Sequence, residues 1–198
     1  MSEREDIARI LDSVEPLPRP RAWPALVVLV GPPGAGKSSV ASALVARTPL
    51  AVISLDHIRQ LLVTHPDFSF QETRRIQRAM RLAMGELLRR NISVIFDAPN
   101  LTEWERQPLY SLAELHKARL IIVDVTAPTG VVLERLALPQ GAAIAVAAGG
   151  PAIQSPQDIY HQMVQRQEPI TRPHLQVDTS TDALDQFVAA LALDLDEG

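Results

Sequence analysis

The sequence predicts an α/β fold, a five-stranded parallel sheet flanked by helices with a lid insertion. Three observations carry this expectation. Short runs of Val, Ile and Leu lack polar alternation, the pattern of strands buried on both faces. Amphipathic stretches between them are long enough to cross over between parallel neighbours. Of 198 residues, 46% are hydrophobic and 21% charged, which supplies one core comfortably.

Residues 2–14 place Ile7, Ile10, Leu11 and Val14 at helical spacing, and Ser2 with Glu5 forms a capping box, so a short amphipathic helix opens the chain. Three prolines within Pro16 to Arg21 then force extended backbone and mark a spacer. The expected strands are Ala25 to Val30, Ala51 to Ser54, Ser93 to Phe96, Leu120 to Val125 and His174 to Val177. Helices are expected near 36–47, 56–63, 71–90, 102–117, 128–137, 156–167 and 182–193. The helix over 71–90 is the most regular, with Ile76, Met80, Ala83, Met84, Leu87 and Leu88 on one side and Arg74, Arg78, Arg81 and Arg89 on the other. Residues 139–155 are small and nearly uncharged, and read as a flap or an insertion. Ser155, Pro156 and Asp158 start a new helix after them. Two units follow: a helix and Pro-rich spacer over 1–22, and a domain over 23–198 with its lid at about 136–172.

Composition excludes several classes of function. The chain has no cysteine, so disulfides, thiolate metal sites and cysteine nucleophiles are absent. With 19 Lys and Arg against 23 Asp and Glu the net charge is -4, and no whole-molecule field draws the protein to nucleic acid or anionic membranes. Its longest apolar runs, Ala25 to Val30 and Ala142 to Ala148, fall far short of the roughly 20 residues that span a bilayer. The acidic amino-terminal stretch has no signal-peptide hydrophobic region, and a cytoplasmic location is expected.

The chemistry centres on Gly31-Pro32-Pro33-Gly34-Ala35-Gly36-Lys37-Ser38, a G-x4-G-K-[ST] motif that follows a buried strand and opens a helix. Its glycines let successive backbone N–H groups converge on phosphate oxygens, and the helix N-terminus adds positive potential. Lys37 is positioned for the β- and γ-phosphates and Ser38 for Mg²⁺, with Ser39 completing the cradle. ATP with Mg²⁺ is the implied ligand. A metal-bound nucleotide needs a carboxylate at the end of a neighbouring strand, and Asp97 and Asp124 both qualify. Asp97 is preferred because Ala98-Pro99-Asn100 and the capped helix start at Thr102 and Glu105 follow it, gathering polar groups at the carboxyl end of the sheet.

Asp56 and Arg59, three apart on the first turn of a helix, point the same way. That pair suits an acceptor: Asp56 takes the proton of an attacking hydroxyl, and Arg59 holds an anionic group. Arg74 and Arg78 on the long helix would form a wall of the same cleft, and Asn100 is expected to meet the acceptor there.

Residues 25–190 resemble the P-loop kinases of the polynucleotide-kinase-like group, which includes the zeta-type toxins. The likeness runs through the phosphate loop, the D-x-x-R of Asp56 and Arg59, the strand into Asp97 with Asn100 and Leu101, Glu134-Arg135, Glu168-Pro169 and Val177-Asp178-Thr179. It implies a P-loop NTPase fold, general-base and acceptor-binding roles for Asp56 and Arg59, and a catalytic lid arginine at Arg135. Such kinases carry a second lid arginine four residues on, where this chain has Pro139; Arg166 and Arg172 are the candidates to replace it.

The expected function is therefore an ATP- and Mg²⁺-dependent kinase acting on the hydroxyl of an unknown acceptor. Charge balance favours a small metabolite over a nucleic-acid 5′-hydroxyl, which the arginine stripe leaves open. The alternative is a nucleotide-dependent switch or slow ATPase that engages a protein partner through the amino-terminal helix.

Overall fold

The computed structural model describes residues 2–14, 16–138 and 155–197. Its strands are β1 (Ala25–Val30), β2 (Ala51–Ser54), β3 (Val94–Asp97), β4 (Arg119–Thr126) and β5 (Leu175–Asp178). They form one sheet in the order β2-β3-β1-β4-β5, with each neighbouring pair parallel. All six residues of β1 are buried, because the strand is central and covered on both sides. Leu26, Val28 and Val30 join one core, whereas Ala25, Val27 and Leu29 join the other. An unbroken apolar run is thus what a two-faced burial demands.

Eight helices surround the sheet among the described residues: α1 (Glu3–Ser13), α2 (Lys37–Val45), α3 (Leu55–Leu62), α4 (Phe70–Arg89), α5 (Glu103–Leu115), α6 (Thr129–Ala137), α7 (Pro156–Gln165) and α8 (Ala183–Glu197). The first core packs α1, α3, α4 and α5 on one face through Ile10, Ile58, Met80 and Leu109. On the opposite face α2 and α8 supply Val40, Leu44, Val188 and Leu191. A small third cluster joins α6 to α7 through Val132, Leu136 and Tyr160.

The expected elements are present with small shifts at their ends. β3 runs one residue further than expected, so Asp97 is its last residue, and α8 continues to Glu197 because Leu195 still reaches the core. Capping boxes form at Ser2 with Glu5, Thr102 with Glu105 and Ser155 with Asp158. The expected flap at 139–155 lies outside the described residues except for Ser155, which caps α7.

α1 is held onto α3 and α4. Ile10 is fully buried in the first core. The carboxylate of Asp6, 1% exposed, accepts hydrogen bonds from Arg75 Nε and Nη2, both at 2.7 Å. Glu3 pairs with Arg78 one turn along, and Arg9 donates to the Leu61 carbonyl. At the end of the Pro-rich stretch, Arg21 N donates to Asn91 O at 2.8 Å, and its guanidinium pairs with Asp196 of α8 at 2.7 Å. Removing one partner of a buried carboxylate pair forfeits charge-assisted hydrogen bonds. Asp6→Ala is expected to lower the unfolding free energy by about 1.5–3 kcal/mol. Urea denaturation measures this, and an unchanged midpoint would show that the Asp6–Arg75 pair adds nothing to the docking of α1.

Candidate functional site

The loop between β1 and α2 is shaped by its glycines and clasped by the end of β3. Gly36, the N-cap of α2, has φ +97°, and a Cβ there would lie 2.6 Å from Thr179 Oγ1. At Gly34 a Cβ would meet Val132 of α6 at 2.8 Å. The loop is thus roofed closely by α6 and the turn after β5. Gly31 N donates to Pro99 O at 3.0 Å. Asn100 adopts the left-handed region and donates through Nδ2 to Leu29 O at 2.7 Å and Ala98 O at 3.1 Å.

A cavity of about 180 Å³ opens beside this loop at the carboxyl ends of the strands. Pro33, Gly34, Gly36, Lys37, Ser38 and Ser39 line it, joined by Asp56 from α3, Asp97 from β3 and Arg135 from α6. The Ser38 hydroxyl donates to Asp97 Oδ2 at 2.7 Å, and the Lys37 ammonium donates to Pro32 O at 2.9 Å. Burial lowers Lys37 from its ordinary pKa, with the Asp97 and Asp56 carboxylates opposing. Asp56 is raised, first by burial and then by the charge of Asp97, while Lys37 and Arg59 pull it down. Anionic phosphate entering here meets a desolvated ammonium and the N-terminus of a helix whose first turn has no acidic residue.

Ser38 and Asp97 present adjacent hard oxygen donors, the chemistry that suits Mg²⁺. Among the described residues no cluster of three or more His, Asp or Glu is close enough to hold a metal unaided. A cation at this pair must therefore complete its shell with water and phosphate, as Mg²⁺ does in nucleotide sites. Asp124 points elsewhere: it accepts from Gln176 Nε2 at 3.3 Å, and burial raises its pKa.

Arg135 reaches the loop, with Nη1 on Gly34 O at 3.1 Å and on Thr179 Oγ1 at 2.9 Å, and Nη2 on Thr179 O at 3.0 Å. Arg59 is 3% exposed and turned into the protein. Its Nε lies 3.6 Å from Glu72 Oε1, and its guanidinium sits 4.8 Å over the Phe68 ring. Holding an anionic acceptor group, the role expected of Arg59, is not what this geometry provides, because the charge is already matched inside the fold. Arg74 lies over the Phe70 ring at 5.5 Å and Arg78 pairs with Glu3, and neither lines the cavity. Asn100, expected at the acceptor, is instead buried beneath the loop as its clasp. Arg172 pairs with Glu114 and stacks 4.4 Å over Tyr110, in a groove at the amino-terminal edge of the sheet.

Three residues have roles that the sequence did not assign. Thr179 bridges the loop to the sheet, its hydroxyl donating to Ala35 O at 2.7 Å. Arg106 is fully buried and donates to the carbonyls of Asn100, Leu101, Glu168 and Pro169, tying the loop after β3 to the chain leaving α7. Glu72 compensates Arg59. Only Glu72 had a local signal, the Ser69-x-x-Glu72 spacing of a helix start.

Residues 26–144 match the sequence model of an AAA domain family. The chain belongs to that AAA domain family. Its sheet order and phosphate loop are those of a P-loop NTPase, and solved structures with kinase chemistry share the fold. The Mycobacterium tuberculosis APS kinase CysC in complex with AMPPNP and APS superposes with TM-score 0.62 at 21% identity, over 91% of this chain and 100% of that one. Shikimate kinase from Acinetobacter baumannii in complex with shikimate gives 0.54 at 19%, over 94% and 98%. Chaetomium thermophilum Kti12 in complex with ADP-AlF3 gives 0.57 at 19%, over 86% and 98%. Identities at this level establish shared architecture. No curated protein matches the sequence significantly, and among the described residues no helix is long and apolar enough to cross a membrane.

A carboxyl whose folded pKa lies above its unfolded value binds more protons when folded, so its ionisation at neutral pH costs stability. Asp56→Asn is therefore expected to unfold at a higher temperature than wild type at pH 7. The advantage should shrink as pH falls through the raised folded pKa, and vanish below the unfolded value, where both states are protonated. Calorimetric melting across pH 3 to 8 reads this directly; a pH-independent difference would remove the desolvated charge as its cause.

Proposed function

We propose that the chain is an ATP- and Mg²⁺-dependent kinase that transfers the γ-phosphoryl group to a hydroxyl of a small-molecule acceptor. One observation carries the reading: Lys37, the Ser38–Asp97 pair and a proton-accepting carboxylate, Asp56, line a single cavity beside the phosphate loop. The likeness to kinase structures supports the same reading.

In this mechanism the loop N–H groups and the α2 N-terminus receive the triphosphate, and Lys37 neutralises its β- and γ-oxygens. Ser38 and Asp97 would hold Mg²⁺, which supplies further charge neutralisation at the phosphates when bound. Asp56 orients the acceptor hydroxyl and takes its proton as the oxygen bonds to the γ-phosphorus and the bond to the departing ADP oxygen breaks. Arg135, fixed by Gly34 and Thr179, keeps positive charge at the roof of the loop.

The switch or slow-ATPase reading has one observation on its side. Residue 139 is proline where the resembling kinases carry a lid arginine, and Arg172 is committed to Glu114. The docking arm it requires is less apt, since Ile10 and Asp6 of α1 are spent on α3 and α4.

Lys37→Ala is expected to lose both nucleotide binding and transfer. Asp56→Asn should bind AMPPNP as wild type does while transfer from labelled ATP falls by about 10²–10⁴-fold. Undiminished transfer by Asp56→Asn removes Asp56 from the mechanism, and release of label only as inorganic phosphate decides for the switch.

A further inference from the structure

The charge arrangement around Asp56 says more about the acceptor than the presence of a base does. Four charged groups face the cavity: Lys37, Arg135, Asp56 and Asp97. Both cations sit on the phosphate loop, Lys37 on Pro32 O and Arg135 on Gly34 O and Thr179, where a triphosphate would use them. On the acceptor side stands Asp56, with the Asp97 carboxylate close enough to raise its pKa.

The cation nearest in sequence, Arg59, is neutralised from behind. Its partner Glu72 has a side chain 9% exposed, and one carboxylate oxygen accepts the Asp67 N–H at 2.8 Å. Glu72 also occupies the third position of α4, after the Ser69 cap, so its side chain lies at the positive end of the helix. The face of Phe68 covers the guanidinium from another side. Further along α4, Arg75 is taken by Asp6 and Arg78 by Glu3.

Resting on the kinase reading above, we propose that the acceptor is a hydroxyl compound without phosphate, sulfate or carboxylate groups, a neutral or cationic alcohol such as a sugar, polyol or amino alcohol. An anionic acceptor would approach the Asp56 carboxylate in a partly desolvated cleft, with Arg135 held on the phosphate loop and Arg59 already facing Glu72. Like charges repel strongly when water is excluded. Nucleic-acid 5′ ends, which carry phosphates beside the reacting hydroxyl, are disfavoured on the same ground.

Two measurements test this, and they fail separately. In the first, the loop is filled with AMPPNP and Mg²⁺ and sodium sulfate is titrated in calorimetrically. Wild type is expected to show no saturable sulfate binding below about 10 mM. Glu72→Gln, which removes the carboxylate charge facing Arg59 in a side chain of nearly the same shape, should bind sulfate at least about tenfold more tightly. Submillimolar sulfate binding by wild type overturns the proposal, as does a folded Glu72→Gln protein with no gain. Should that variant not fold, the wild-type titration still decides.

In the second, labelled ATP is incubated with a metabolite extract and with 5′-hydroxyl oligonucleotides, and products are separated by charge. Label on neutral or cationic alcohols supports the proposal. Label on oligonucleotide ends, or on acceptors already phosphorylated or carboxylated, overturns it while leaving the kinase reading intact. Label on no acceptor overturns the kinase reading, and the substrate class proposed on it, whatever the sulfate titration shows about the cleft.

Discussion

The hydrogen bond from the Ser38 hydroxyl to Asp97, 2.7 Å long, joins the loop after β1 to the end of β3, and the candidate chemistry is arranged around it. It requires β3 to lie beside β1 in parallel register, with Phe96 level with Val28, so that Asp97 emerges next to the loop. Ligands of open α/β sheets collect at this carboxyl edge because the strand ends present polar groups there while the body of the sheet stays dry. The chain after β3 then turns back to hold the loop, through Pro99 O on Gly31 and the Asn100 side chain on Leu29. One strand neighbour supplies the carboxylate and the clasp together.

Burial gives these groups their character. Lys37 and Asp56 are each displaced from their ordinary pKa by desolvation first and by neighbouring charges second. Such a cluster is unfavourable in isolation, since charges buried without full compensation cost free energy. It is maintained because the surrounding elements are rigidly packed: α3 presses Ile58 into the first core, α4 adds Ile76 and Met80, and α1 braces both. The α1 helix thereby belongs energetically to the wall that carries Asp56.

Pairing, more than net charge, decides what the surface of this protein presents. Of the arginines that read as a basic stripe along α4, Arg78 is matched by Glu3 across 75 residues and Arg89 by Glu86 within the helix, and their neighbour Arg75 meets Asp6 across 69. Arg59 meets Glu72 at the start of α4 in the same manner. Pairs of this kind contribute less to stability than their number implies, but they remove positive potential from the places where it would otherwise recruit anions.

Local physics made the fold and the loop legible. Strands buried on both faces must be unbroken apolar runs, glycine must stand where backbone turns left-handed at Gly36, and capping boxes at Ser2, Thr102 and Ser155 mark helix starts within four residues of chain. Each of these is a short-range requirement, so each is written in consecutive residues. Strand order, the inward turn of Asn100, the four carbonyls gathered by Arg106, the hydroxyl of Thr179 on Ala35 and the burial of Arg59 against Glu72 were decided only by tertiary packing. An arginine on a polar helix face looks the same in sequence whether it meets solvent, substrate or a distant carboxylate, because its partner is chosen by which helices the sheet brings together.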